Sequence, residues 1–371
     1  MKNANDNYYK LRNERCMERL REILETLPDF AQEFFVGIQM RTSALTRLNY
    51  AYDLKVFFRY LTERKFKGLD VKDIVLADLE KLKAYDIELY LEYLSHYTID
   101  GKSYSCEEKA KERKLSSLRS FFKYYFKKDK LSSNVCAKVD LPKLHDKPII
   151  RLDSDEVEAL LEEAESGANL TKRQKGYQTK YSKRDTAILT LFLGTGIRVS
   201  ELVGLNRADF RFDNNSFTVT RKGGNKSILY FSEEVKDSLI AYLEWLDGEI
   251  EDPKSTFGKK VRDANTDAMF LSDRGTRYCV RSIENLVKKY IQIVTPLKHI
   301  TPHKLRSTYG NALYHETQDI YVVADVLGHS DVNTTKKHYA QMSEEIRQKA
   351  ANAVALRKSE KNGGDEDDDN K

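Results

Sequence analysis

Along the first third of the chain, apolar side chains recur at three- and four-residue steps, the spacing that sets one side of an α-helix against a core. Residues 42–63 carry Leu45, Leu48, Tyr52, Val56 and Tyr60 in that register, which predicts an amphipathic helix with those five turned inward. Residues 114–128 repeat the pattern with Leu115, Leu118, Phe122 and Tyr125 inward and Lys114, Arg119, Lys123, Lys127 and Lys128 on the outer face. The rhythm breaks over 131–151, where Pro142 and Pro148 discourage a continuous helix, so this stretch reads as a linker between two domains.

Beyond it, Ser154-Asp155-Glu156 reads as a helix start, 171–183 as a basic exposed loop, and 184–193 as an apolar helix ending at Gly194 and Gly196. From Ser216 to Tyr230 apolar and polar residues alternate around Lys222-Gly223-Gly224-Asn225-Lys226, which predicts two short strands joined by a glycine turn. Helical spacing then returns. The apolar run Ile320 to Leu327 should end at Gly328, and Ile346, Ala350, Ala353 and Val354 form a narrow stripe on a last helix that starts near Met342.

Composition changes this picture in three ways. A chain of 371 residues is long enough for two separate cores. The net charge of +5 conceals a tail from Lys358 with six acids and three lysines, so the body carries +8, which favours a polyanion as partner. That tail is of low complexity and should be disordered. Cys16, Cys106, Cys136 and Cys279 are scattered without metal-like spacing, which suits a reduced intracellular protein. No apolar run is long enough for a membrane span and the first residues show no leader pattern, so a cytoplasmic location is expected.

Cleaving a phosphodiester with a side chain requires a nucleophile, charge stabilisation at phosphorus and an acid for the leaving oxygen. Arginine meets the second need without a metal, because its planar fork donates two hydrogen bonds to phosphate oxygens. Arg198 follows the Gly194-Thr195-Gly196 turn, and Arg306 lies three residues after His303, so that His303 and Arg306 would share a helix face. His329 follows Leu327-Gly328 at the expected helix end. Tyr339 is one of 22 tyrosines, and its position ten residues after His329 is what distinguishes it. Lys222, at the hairpin tip, can reach a leaving 5′-oxygen. Nothing in the chain has the form of a nucleotide-binding loop, and this chemistry requires no metal or other cofactor.

The ordered set Arg198, Lys222, His303-Lys304-Leu305-Arg306, Leu327-Gly328-His329-Ser330 and Tyr339 resembles the tyrosine recombinase (phage-integrase-like) family, most of all its bacterial Xer-type members. The resemblance implies a mainly α fold with a small β-sheet. It divides the chain into an N-terminal extension (1–27), a helical core-binding domain with its linker (28–145), a catalytic domain with an exchanged C-terminal helix (146–357) and the acidic tail (358–371). It further implies that Arg198 and Arg306 clamp the scissile phosphate and that His303 and His329 hydrogen-bond it. Lys222 would protonate the leaving 5′-hydroxyl, Tyr339 would form a 3′-phosphotyrosyl bond, and Glu201 would support the site from behind. The partners implied are double-stranded DNA and further copies of the chain, four on two DNA sites. Arg47 and Lys55 of the first helix and Lys114, Arg119, Lys123 and Lys127 of the second are the candidate phosphate contacts. One departure is the tyrosine spacing, ten residues here against the family's common nine. Two rivals share part of this chemistry: a monomeric type IB topoisomerase and a catalytically silent DNA-binding regulator.

Overall fold

The computed structural model describes residues 4–99, 101–141, 150–221, 223–329 and 331–333. The fold is mainly α with small antiparallel sheets, and the chain divides into two compact units, one within Met1–Pro148 and one from Ile149 onward. No helix among the described residues is long and apolar enough to cross a membrane.

In the first unit, helices α1 (Ala4–Leu24), α2 (Ala31–Gly37), α3 (Ala44–Tyr60), α4 (Leu76–Leu79) and α5 (Ala84–Tyr93) precede a hairpin, β1 (Tyr97–Ile99) with β2 (Lys102–Tyr104), and then α6 (Glu108–Phe126). Helix α3 starts where Ser43, in extended backbone, accepts a hydrogen bond from Thr46 N at 3.1 Å, which satisfies one of the first orphan donors. Its inner face is rotated from the expected one. Leu48, Val56 and Tyr60 are buried, but Leu45 and Tyr52 are exposed, because Leu54, Phe57 and Phe58 occupy the core instead. Large rings set the packing: Phe34 meets Phe121 edge-on at 5.2 Å, and Phe57 meets Tyr90 at 5.2 Å. On α6, Leu115, Leu118, Phe122 and Tyr125 are all buried, as their spacing indicated.

Two expectations at the edges of this unit need correction. Leu20, Ile23 and Leu27 are buried in the same core as α3 and α6, so the first 27 residues form part of this unit's core. Leu131, Val135, Cys136 and Val139 are buried there as well, with Val135–Lys138 in a 3₁₀ turn, so the presumed linker begins as core. Residues 142–149 lie outside the described residues.

The second unit is built around α8 (Lys172–Thr195), whose last three turns are buried on every side, through Ala187, Ile188, Leu189, Leu191 and Phe192. Its first three turns replace the basic loop expected over 171–183. A capping box explains the start: Thr171 Oγ1 accepts from Gln174 N at 3.4 Å, and Gln174 Oε1 accepts from Thr171 N at 3.0 Å. Helix α7 (Ser154–Ser166) precedes it, and α9 (Val199–Leu202) follows. A three-stranded antiparallel sheet comes next, β3 (Phe210–Arg211), β4 (Ser216–Thr220) and β5 (Lys226–Tyr230), with Phe217 opposite Leu229 and Thr220 opposite Lys226. The hairpin was expected; the edge strand β3 was not. Helices α10 (Glu233–Glu251), α11 (Thr256–Ala264), α12 (Val280–Val294), α13 (Pro302–Thr317) and α14 (Ile320–Leu327) complete it.

One buried charge cluster ties α8 to α12. Asp185 Oδ2 accepts from Lys289 Nζ at 2.9 Å and from Tyr290 Oη at 2.8 Å, while Asp185 Oδ1 accepts from Arg184 Nη2 at 2.8 Å. Burial pushes the Asp185 carboxyl up, yet the Arg184 and Lys289 charges outweigh it and leave it below the usual aspartate range.

Candidate active site

Two chain breaks in the second unit create the site. Helix α8 ends at Gly196, whose φ of +60° is the left-handed conformation that glycine tolerates best. A Cβ there would also lie 2.5 Å from Tyr309 Cδ1, so the position is closed to larger residues on two grounds. Ile197 is buried behind the turn, and Arg198 follows in extended backbone as the cap of the short α9. Glu201, buried, holds it there: Arg198 N donates to Glu201 Oε2 at 3.0 Å and Arg198 Nη1 to Glu201 Oε1 at 2.9 Å. Glu201 therefore supports Arg198 from behind, in the place the sequence assigned to it.

The second break is at Gly328, φ +59°, which ends α14. Gly328 N donates to Asp325 O at 2.8 Å and His329 N to Ala324 O at 2.9 Å, which folds the chain back at the helix end and leaves His329 half-buried. The last carbonyls of a helix lack partners within it and carry the negative end of its dipole. Here guanidinium groups serve them. Arg198 Nη2 donates to Gly328 O at 3.0 Å, and Arg306, 2% exposed, donates to Leu327 O and to Gly196 O. Arg306 and Arg198 thus reach one helix end from segments about a hundred residues apart in sequence.

A third arginine joins them that the sequence reading missed. Arg221 Nη2 donates to Val326 O at 3.1 Å, and its Nη1 lies 3.2 Å from Leu327 O and 3.4 Å from both Glu201 carboxylate oxygens. A signal for it was present: Phe217 and Val219 face inward on β4, and Arg221 is next in that alternation.

His303 lies one turn before Arg306 on α13, which begins with Pro302 at its first position. The two residues differ in environment: His303 is exposed where Arg306 is buried. Lys222 and Tyr339 lie outside the described residues, as do Ser330 and the stripe from Ile346 to Val354. Among the described residues no three His, Cys, Asp or Glu side chains gather as a metal site.

The candidate DNA contacts of the first unit divide sharply. Lys114 does not face outward: it is 6% exposed, with its Nζ 3.0 Å from Oδ1 of the buried Asp53. Arg47 is 7% exposed and donates to Gln39 O and Thr42 O at 3.0 and 2.7 Å. Arg119, half-buried, donates to Cys136 O at 3.1 Å and to Val139 O. Lys55 is half-buried, and Lys123 and Lys127 are exposed.

Comparison with known proteins agrees with the site. Residues 150–345 match the phage integrase family and residues 31–129 the N-terminal SAM-like domain of phage integrases. Tyrosine recombinase XerC of Caldanaerobacter subterraneus subsp. tengcongensis is 32% identical over 323 residues, covering 83% of this chain and 82% of that protein. Tyrosine recombinase XerS of Lactococcus lactis subsp. cremoris (strain MG1363) is 26% identical, covering 90% and 98%. In structure, the fold resembles the XerH site-specific recombinase bound to palindromic difH substrate, with a TM-score of 0.59 at 17% identity, covering 83% and 80%. It also resembles lambda integrase residues 75–356, a dimer bound to a COC′ core site, with a TM-score of 0.55 at 19% identity, covering 83% and 93%. With the order of the two arginines, the buried glutamate and the histidine turn all in place, the chain belongs to the phage integrase family.

Proposed function

We infer that this protein is a site-specific DNA recombinase that cleaves and rejoins strands through a 3′-phosphotyrosyl intermediate. The observation that carries this reading is the meeting of Arg198 and Arg306 at the end of α14, beside the turn that presents His329. Tyr339 Oη attacks the scissile phosphorus and becomes bonded to it, and the 5′-oxygen leaves with a proton from Lys222. Arg198 and Arg306 stabilise the charge on the non-bridging oxygens, with His303 and His329 as further hydrogen-bonding groups. The freed 5′-hydroxyl of one duplex then attacks the phosphotyrosine on the other. The bond energy stays in the phosphotyrosine, so no nucleotide is consumed.

The protein acts in the cytoplasm as four copies on two DNA sites, joined through the segment after Tyr339. Lys123 and Lys127, with Lys55, contact the DNA backbone. The test is recombination between two copies of the bound site on one plasmid. Exchange of flanking sequence is expected; relaxation of supercoils without exchange would mark a topoisomerase, and binding without either a silent regulator. Deleting residues 343–371 should spare half-site binding and abolish exchange.

A further inference from the structure

Arg221 has no part in the chemistry just described, yet it joins three of its supports. Its side chain is 10% exposed and lies between the Glu201 carboxylate and the Val326 and Leu327 carbonyls. It also fits closely under the turn before His329, since a Cβ on Gly328 would lie 2.8 Å from Arg221 Cζ. Its Nε is buried without a partner among the described residues, an unfavourable arrangement that stability alone would not select. The residue that follows it is Lys222.

We propose that Arg221 is a positioning residue, which fixes the end of β4 to the α14 terminus and so sets where Lys222 delivers its proton. The proposal rests on the role given to Lys222 above. Two features point to Lys222 and not to His329 as the group that depends on it. The Gly328 turn keeps two guanidinium donors, from Arg198 and Arg306, when Arg221 is removed. The strand end has less support. Ladder pairing in β4 stops at Thr220 opposite Lys226, and the Arg221 side chain is the tie from there to α14. A planar fork can bridge a carboxylate and two carbonyls at once, whereas the one nitrogen of a lysine, or the uncharged chain of a methionine, cannot.

The experiment uses full-length protein and a nicked suicide duplex carrying a site selected by that protein from a random-sequence DNA pool. The duplex is made with oxygen or with sulfur at the 5′-bridging position. A thiolate leaves without a proton, so loss of a placed general acid disappears on the sulfur substrate. Arg221→Met should cleave the oxygen substrate about a hundredfold more slowly, bind DNA as the unaltered protein does, and recover most of its rate on sulfur. Arg221→Lys, which retains the charge beside Glu201, should show a smaller deficit with the same recovery; it decides the matter if the methionine variant does not fold. An equal deficit on both substrates, or one that follows lost DNA affinity, would overturn the proposal. Lys222→Ala serves as reference. If sulfur fails to rescue it, the proton-donor role falls and this proposal with it; if sulfur rescues Lys222→Ala but not the Arg221 variants, the positioning role falls by itself.

Discussion

Arg47, Lys114 and Arg119 carry the same charge as Lys123 and Lys127, yet their donors are already committed to Asp53 and to main-chain carbonyls. Helical spacing tells which residues share a face, but not which partner that face meets, so the outward direction of Lys114 was not legible. Asp53, 61 positions earlier and fully buried, decides it. At the site the reverse held: Arg198, His303, Arg306 and His329 were legible because their order along the chain is distinctive. Arg221 was passed over because it adjoins the more conspicuous Lys222. Arg198 gives the clearest test at this scale. Its fork serves Glu201 on one edge and Gly328 O on the other, with its side chain one-third exposed. Arg198→Lys should lower the cleavage rate by about a hundredfold or more, the usual cost of one lost donor to a developing oxyanion, with DNA affinity little changed. A near-normal single-turnover rate would remove Arg198 from the phosphate.

Among elements, α6, α13, α14 and the β4–β5 hairpin were legible from spacing and glycine stops. The first half of α8 was not. Its polar, lysine-rich sequence and Gly176 argue for a loop, and the Thr171–Gln174 capping box was the overlooked signal. Buried Gln178 and Tyr181 then hold those turns by tertiary packing, which no local pattern reveals. Gly328 is where an element end and the site coincide. Gly328→Ala places a side chain at positive φ, at a cost of about 1–2 kcal/mol, and also displaces Arg221. Thermal denaturation should show a modest loss of stability, while cleavage falls far more than that loss explains; proportional changes would contradict this. The α8–α12 tie makes a separate prediction. Because Asp185 has a lowered folded pKa, its stabilisation is present above the ordinary aspartate value of about 3.9 and is lost as pH falls through the lower folded value. Asp185→Asn should therefore cost about 3–5 kcal/mol near neutral pH, the range for a broken buried ion pair. The gap from wild type should narrow in strong acid. A gap in denaturation midpoints that stays constant with pH would show that Asp185 does not act through its charge.

At the scale of the whole molecule, length and the linker prolines pointed to two cores, and two compact units are present. The first core extends further at both ends than the pattern suggested, since helix α1 and the turn at Val135–Lys138 enter it. The chemistry likewise draws on the whole second unit: Gly196, Arg198, Glu201, Arg221, Arg306 and Gly328 are distant in sequence and meet at one helix end. Such a meeting can be expected from motif order, but only a folded chain brings the groups together. All of it serves one bond, between Tyr339 Oη and a DNA 3′-phosphate. The most direct measurement is to trap full-length protein on a nicked suicide duplex, digest the adduct and locate the modified peptide by mass spectrometry, in parallel with Tyr339→Phe. A 3′-phosphotyrosyl linkage at Tyr339, with no adduct in the phenylalanine variant and unchanged DNA binding, is the result expected. An adduct at another residue, or one that survives Tyr339→Phe, would contradict the account.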